Sequence, residues 1–233
     1  MNPFNTRPQK APYTLRVLAH LLRYPNADLR THIPEMQQAL KAEQALAPMR
    51  LAELGALLKH LQRTPALEIE SEYVELFDRG RRTALHLFEH VYGDSRDRGP
   101  AMIDLIQTYE KGGLYMDAEE LPDYLPVVLE FSSTQPPEQA RDFLAEIAHI
   151  VRNIFSALQS QGSPYASVLA AVLELAGEKA QTVPLAPEPA IDESWTEPPV
   201  FGGCSTEGQA KPGQAQPIQI VRKPSPLSQG VRP

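Results

Sequence analysis

The residues with the clearest catalytic potential form a short histidine motif near the middle of the chain. His86, Glu89 and His90 match the pattern H-x-x-E-H, in which two histidines on one helix face bind zinc and the glutamate activates water. Such a site needs a third protein ligand, and no later segment indicates one. A helix that turns His86 and Glu89 to solvent and its leucines inward explains the same letters. A zinc-dependent hydrolase is therefore the lesser alternative, and we predict no metal site and no catalytic residue.

Other catalytic devices are missing from the sequence. Cys204 is the one cysteine, so the chain can form neither an internal disulfide nor a multi-thiolate metal site. It lies far from any segment that would orient a base beside it. No G-x-S-x-G elbow and no glycine-rich phosphate loop occurs. We expect neither an enzyme nor a bound cofactor.

A basic cluster and its surroundings indicate ion pairs within the protein. Arg79, Arg81 and Arg82 are followed by Arg96 and Arg98, with acidic residues interleaved throughout. Interleaved charges of this kind are typical of helix ends and surface ion pairs. The net charge of −7 also disfavours binding to a phosphate backbone. We predict no nucleic-acid partner.

A second cluster, residues 119–131, combines acids with apolar residues. Glu119 and Glu120 precede Pro122 and the apolar run 125–129, as expected where a helix begins, because acids favour the positive end of the helix dipole. A capped helix start is therefore the simpler interpretation. The alternative is a groove in which acids beside exposed Leu, Tyr and Val side chains receive an amphipathic helix that carries arginines.

These clusters are positioned by helices, and the fold class is predicted to be all-α, a compact helical bundle. Leu15, Leu18, Ala19 and Leu22 recur at helical spacing, and the pattern stops at Tyr24. Strand alternation and hairpin signals are missing. Further helices are predicted at about 34–46, 49–63, 66–79, 82–92, 95–112, 122–133, 137–162 and 163–180.

The chain divides by composition into three parts. Residues 1–12 are predicted to be a flexible N-terminus and 13–181 the helical domain. Residues 182–233 hold ten of the 23 prolines and few large apolar residues, so we expect a flexible tail. No secretory signal and no stretch of membrane-spanning length appears. We expect a cytoplasmic protein without direct membrane insertion.

Three ordered stretches carry a family resemblance. Residues 73–81 read YVELFDRGR and residues 87–99 read LFEHVYGDSRDRG. Together they closely resemble the NarJ family of nitrate reductase molybdenum cofactor assembly chaperones, also called nitrate reductase delta subunits. Residues 120–126 read ELPDYLP and precede Leu129 and Glu130, and they resemble a second hallmark of that family. The resemblance covers roughly residues 13–180, and long ordered runs are far more specific than the histidine motif.

The resemblance implies an all-helical chaperone, similar in fold to the twin-arginine redox chaperones. It implies binding to the N-terminal segment of the apo alpha subunit of nitrate reductase and to its alpha–beta complex. It also implies transient contact with the machinery that inserts the molybdenum cofactor, and delayed membrane docking. A chaperone of the same fold for another molybdoenzyme is an alternative. The client-binding residues expected on this basis are Tyr73, Phe77, Asp78, Arg79, Glu120, Pro122, Asp123, Tyr124, Leu125, Leu129 and Glu130. Tyr124 stands where the family pattern has histidine, so a histidine switch at that position is not expected here.

Overall fold

The fold is seen in a computed structural model, which describes residues 10–93, 95–116 and 120–185. Within them the regular elements are helical, which confirms the all-α prediction. The helices are α1 (Pro12–Leu21), α2 (Ala27–Thr31), α3 (Ile33–Glu43), α4 (Pro48–Arg63), α5 (Ala66–Tyr73), α6 (Arg98–Lys111), α7 (Leu125–Thr134), α8 (Pro137–Ser160) and α9 (Ala166–Leu175). A π-helical turn, Val74–Asp78, continues α5, and a 3₁₀ turn spans Leu87–Glu89. In the described part of the chain, no helix is long and apolar enough to span a membrane.

The core forms where α1, α7, α8 and α9 pack together. α9 is buried on nearly all sides, as expected for a short helix composed almost entirely of apolar residues. α8 buries one stripe, which includes Leu144, Val151 and Leu158, and packs against α7 and α9. α1 contacts α3, α7 and α9. α1 therefore lies where three other helices can fix its position.

Both ends of α1 are held by side chains from distant parts of the chain. At its N-terminus, the Glu43 carboxylate accepts hydrogen bonds from the amides of Tyr13 at 3.2 Å and Thr14 at 2.6 Å. At its C-terminal end, the Leu22 carbonyl accepts a hydrogen bond from the Tyr73 hydroxyl at 2.7 Å. These contacts satisfy backbone groups that a helix leaves unpaired at its ends.

The prediction of a helix over residues 82–92 is wrong. This segment is extended at His86, which forms an antiparallel bridge with Tyr124. The Leu87 amide donates to the Asp123 carbonyl at 3.0 Å, and the Leu125 amide donates to the Leu85 carbonyl at 2.9 Å. Backbone groups that would have bonded within a helix therefore bond to the segment that precedes α7.

The other boundaries differ from prediction at their ends. The predicted helix 122–133 begins only at Leu125, and the last helix is shorter than the predicted 163–180. α2 was not predicted. It has five residues, and Asn26 caps it by accepting the Leu29 amide. Residues 1–9 and 186–233, with Cys204, lie outside the described residues, so the predicted N-terminus and tail stay predictions.

Candidate functional site

Two stretches that carry the family resemblance, residues 73–81 and 120–126, meet at the C-terminal end of α1. Tyr73, from the first stretch, donates its hydroxyl to the Leu22 carbonyl at 2.7 Å. The Tyr124 hydroxyl, from the second stretch, lies 3.4 Å from the same carbonyl and 3.5 Å from the Tyr73 hydroxyl. One backbone carbonyl thus joins two residues that are 51 positions apart in the chain.

Two predicted carboxylates stand beside this junction and share one guanidinium. Arg23 follows Leu22 directly, and its Nη2 lies 3.4 Å from Glu120 and 3.1 Å from Glu130. The three side chains are between 33% and 43% exposed, so solvent reaches all of them. Glu120 lies in the loop before α7, and Glu130 lies on α7 itself. Two carboxylates therefore face one guanidinium.

The apolar members of the predicted site are not exposed. Tyr73 and Phe77 are 4% and 6% exposed, and Leu125 and Leu129 are fully buried. The expectation that they form an open apolar groove is therefore wrong. They belong to the main core, where α7 packs against α1. Their contacts are with this chain, and a role in client binding stays a prediction.

The side chain of Asp123 is fully buried among residues of its own chain, and its Oδ2 accepts the Phe88 amide at 3.0 Å. Arg98 Nη2 lies 3.8 Å from Oδ2, and His86 Nδ1 lies 3.6 Å from Oδ1. A buried carboxylate is tolerated only with such partners. Asp123 therefore holds His86, Phe88 and Arg98 beside the start of α7.

The contact with Asp123 affects the pKa of His86. The nearby Asp123 carboxylate raises the pKa of His86 above its ordinary value, although partial burial of the ring opposes that shift. The ring also stacks on Tyr124, with centroids 5.1 Å apart and planes at 29°. His86 thus contacts Asp123 and Tyr124, which directly precede α7.

The histidine motif does not assemble a metal site. His90 Nε2 donates to the Ala84 carbonyl at 2.8 Å, and Glu89 lies 3.8 Å from Arg98. The motif spans an extended residue and a 3₁₀ turn, so its histidines do not share a helix face. Over residues 10–93, 95–116 and 120–185, no group of three potential ligands could hold a metal ion.

The remaining predicted residues lie both at the surface and in the interior. Asp78 and Arg79 are exposed at the end of the π-helical turn, and Arg79 is paired with Glu75 one helical turn earlier. Pro122 is buried, and its carbonyl accepts the Tyr109 hydroxyl at 2.7 Å. Burial raises the pKa of the Tyr124 phenol, so this side chain stays neutral at physiological pH. The surface members of the site are therefore Asp78, Arg79, Glu120, Tyr124 and Glu130.

A cleft that was not predicted lies beside Arg23, the partner of Glu120 and Glu130. It lies between α1 and the α2–α3 pair and has a volume of about 450 Å³. Polar and charged side chains form much of its lining, together with Val17, Leu29 and Met36, which are 6–7% exposed. Arg23 and the 44%-exposed Tyr24 line it as well. Arg23 thus lines the cleft and also pairs with both acids. The signal in the sequence was a row of polar residues at helical spacing: Arg16 and His20 on α1, and Arg23 two residues after its end.

Comparison with known proteins gives consistent similarities. The family model described as nitrate reductase delta subunit matches residues 24–171. The nitrate reductase molybdenum cofactor assembly chaperone NarJ of Escherichia coli K12 is 43% identical over 162 residues, covering 70% of this chain and 69% of that protein. The nitrate reductase-like protein NarX of Mycobacterium tuberculosis H37Rv is 35% identical over 155 residues, covering 65% of this chain and 22% of NarX. A crystal structure described as that of a redox enzyme maturation protein, from Archaeoglobus fulgidus, aligns over 75% of this chain and 98% of its own with a TM-score of 0.49 and 19% identity.

Proposed function

Because the chain belongs to the nitrate reductase delta subunit family, whose members are assembly chaperones and not enzymes, we propose that its client is the apo catalytic alpha subunit of a respiratory nitrate reductase. It binds the N-terminal segment of that subunit in the cytoplasm. It keeps the subunit competent to receive the molybdenum bis(guanine dinucleotide) cofactor and delays its docking at the membrane. The chaperone leaves once the enzyme is assembled.

The observation that supports a defined binding surface is the position of an acidic pair next to a cleft with apolar side chains in part of its wall. Glu120 and Glu130 lie beside Arg23, and Arg23 also lines the cleft. An amphipathic client helix has the matching character, with apolar side chains on one face and basic ones at an end. The cleft receives the apolar side chains, and the carboxylates receive the basic ones.

The energetics suit a complex that must later dissociate. Burying apolar surface contributes about 25 cal/mol per Å², and a cleft of about 450 Å³ accommodates only a few side chains. Ordering the client segment opposes part of this gain. The carboxylates mainly set the association rate and the register of the client. A moderate affinity lets the chaperone release its client after cofactor insertion.

The first experiment measures binding of a synthetic peptide with the N-terminal sequence of the nitrate reductase alpha subunit from the same genome. Replacing both acids (Glu120→Gln with Glu130→Gln) is expected to weaken binding roughly tenfold, a loss of about 1.4 kcal/mol. Isothermal titration calorimetry measures it. The matched control, Asp142→Asn with Glu146→Gln, makes the same charge change at exposed positions of α8 and should leave affinity unchanged. If both double variants lost affinity equally, only net charge would matter, and the proposal that Glu120 and Glu130 form the binding surface would be rejected.

The cellular role has its own test. Cells deleted for this chain should contain nitrate reductase that lacks molybdenum, and a plasmid copy of the gene should restore it. Elemental analysis of the purified reductase measures the loading. Fully loaded enzyme from the deleted strain contradicts the proposed function, and capture of a different apo molybdoenzyme assigns the chaperone to that client.

A further inference from the structure

Arg23 occupies the position that the proposed function gives to the client's basic residue. We propose that Arg23 is an internal competitor, which holds the Glu120–Glu130 pair in the free chaperone and gives way when a guanidinium or ammonium group of the client arrives. This inference rests on the proposed function, because it concerns the same acidic pair. It makes Arg23 a specificity-determining residue that admits basic segments and resists neutral ones.

The charge balance of the cluster favours this exchange. One guanidinium faces two carboxylates, at 3.4 Å and 3.1 Å, so the cluster keeps a net negative charge while Arg23 is bound. A second cation is therefore attracted before the first one leaves. The acids sit on two elements, and a client cation can engage one of them while Arg23 still holds the other.

The Arg23 side chain can leave without moving the backbone. The Leu22 carbonyl is fixed by the Tyr73 hydroxyl, so the adjacent backbone stays in place while the side chain rotates. The Arg23 Nε is buried and has no hydrogen-bond partner among the described residues, so no bond at that atom is lost. The side chain as a whole is 33% exposed, and ion pairs that solvent reaches are weak.

Selectivity follows from what each kind of client does to the pair. A basic segment replaces the Arg23 contacts with equivalent ones, so its net cost is small. A neutral apolar segment that displaced Arg23 would leave both carboxylates without a partner, and that cost discriminates against it. The contact thus rejects unrelated apolar segments that would otherwise enter the neighbouring cleft.

The test compares Arg23→Gln with Arg152→Gln in peptide-binding calorimetry. Both substitutions remove one positive charge from a partly exposed ion pair, but Arg152 lies on α8, pairs with Glu178 at 2.7 Å and does not line the cleft. With the alpha-subunit peptide, Arg23→Gln should raise affinity roughly two- to fivefold, the range expected for removing a competing surface ion pair. Arg152→Gln should leave it unchanged. With a peptide whose basic residues are replaced by glutamine, the gain should vanish.

The outcomes separate this inference from the proposed function. If the wild type binds the peptide and Arg23→Gln binds equally or more weakly, Arg23 is a structural contact, and the inference is overturned while the proposed function stands. Equal gains in both variants also overturn it, because only net charge would then matter. If no variant binds the peptide, the proposed client is wrong.

A second substitution covers the case in which Arg23→Gln does not fold, as judged by circular dichroism. Arg23→Lys keeps the charge but loses the planar fork that can reach both acids. It should bind the peptide more tightly than the wild type, by a smaller factor than expected for glutamine. An unchanged or weaker affinity of Arg23→Lys would reject the competitor role.

Discussion

The interior and surface residues of the stretch 120–130 differ in what their carboxylates and apolar side chains contact. Asp123 is fully buried and bonded to the chain's own backbone, whereas Glu120 and Glu130 are solvent-accessible and share one arginine. Leu125 is likewise buried, whereas Leu121, four residues earlier, is 48% exposed. A run of residues that is typical of a family therefore combines positions that build the fold with positions available to a partner.

The largest expected effect tests the interior assignment of the apolar members. Leu125→Ala should lower the free energy of unfolding by about 2–5 kcal/mol, because it leaves a cavity in the core. Leu121→Ala, the exposed counterpart in the same segment, should change it by less than about 0.5 kcal/mol. Urea unfolding followed by circular dichroism measures both. A Leu125→Ala variant that kept its stability but lost the client peptide would move Leu125 to the binding surface.

A smaller effect is expected from the buried carboxylate. Asp123→Ala should cost about 1–3 kcal/mol of stability, because the Phe88 amide loses its acceptor. Asp123→Asn should recover part of that loss, since an amide oxygen can still accept. Glu130→Ala should cost less than about 1 kcal/mol. Hydrogen exchange should accelerate at the Phe88 amide in Asp123→Ala only. Unchanged exchange there would mean that Asp123 does not fasten this segment.

The smallest effect is a dependence of stability on pH. The pKa of His86 is raised in the folded state by the Asp123 carboxylate, so the protonated ring stabilises the fold. This contribution is complete below the ordinary histidine pKa of about 6.5 and is lost as the pH rises through the raised value. Urea unfolding across this window should show the loss in the wild type, whereas His86→Gln should be flatter. An NMR titration in which the pKa of His86 is not raised would contradict the assignment.

Local signals predicted most of the fold. α8 was bounded by Pro136 and Gly162 and carried a regular apolar stripe, and the helix runs from Pro137 to Ser160. The helix prediction for residues 82–92 was wrong for a non-local reason. The backbone of this segment forms hydrogen bonds with Asp123 and Leu125. No pattern within the segment specifies that partner. α2 is too short for helical periodicity to appear, although its Asn26 cap was a visible signal.

The site was predicted less well than the fold, because exposure depends on packing between helices. Leu125 and Leu129 share a face of α7 at helical spacing, and that spacing does not say whether another helix covers them. Here α7 packs against both α1 and α8, and the two leucines are fully buried. Arg23 was not predicted as part of the site, since its acids are about one hundred residues away in the sequence. Charge type was predictable for Glu120 and Glu130, but their partner was not.

The fastening of α1 at both ends bears on how binding begins. Glu43 accepts hydrogen bonds from amides in the first turn of α1, and Tyr73 donates to the Leu22 carbonyl directly after the helix. The helix that forms one wall of the cleft is therefore held in position before any client binds. The conformational entropy lost on association then falls mainly on the client segment, which orders itself against a wall already in place. A preformed wall also fixes the spacing between the cleft and the acids, so a client must present its apolar and basic groups at that one interval.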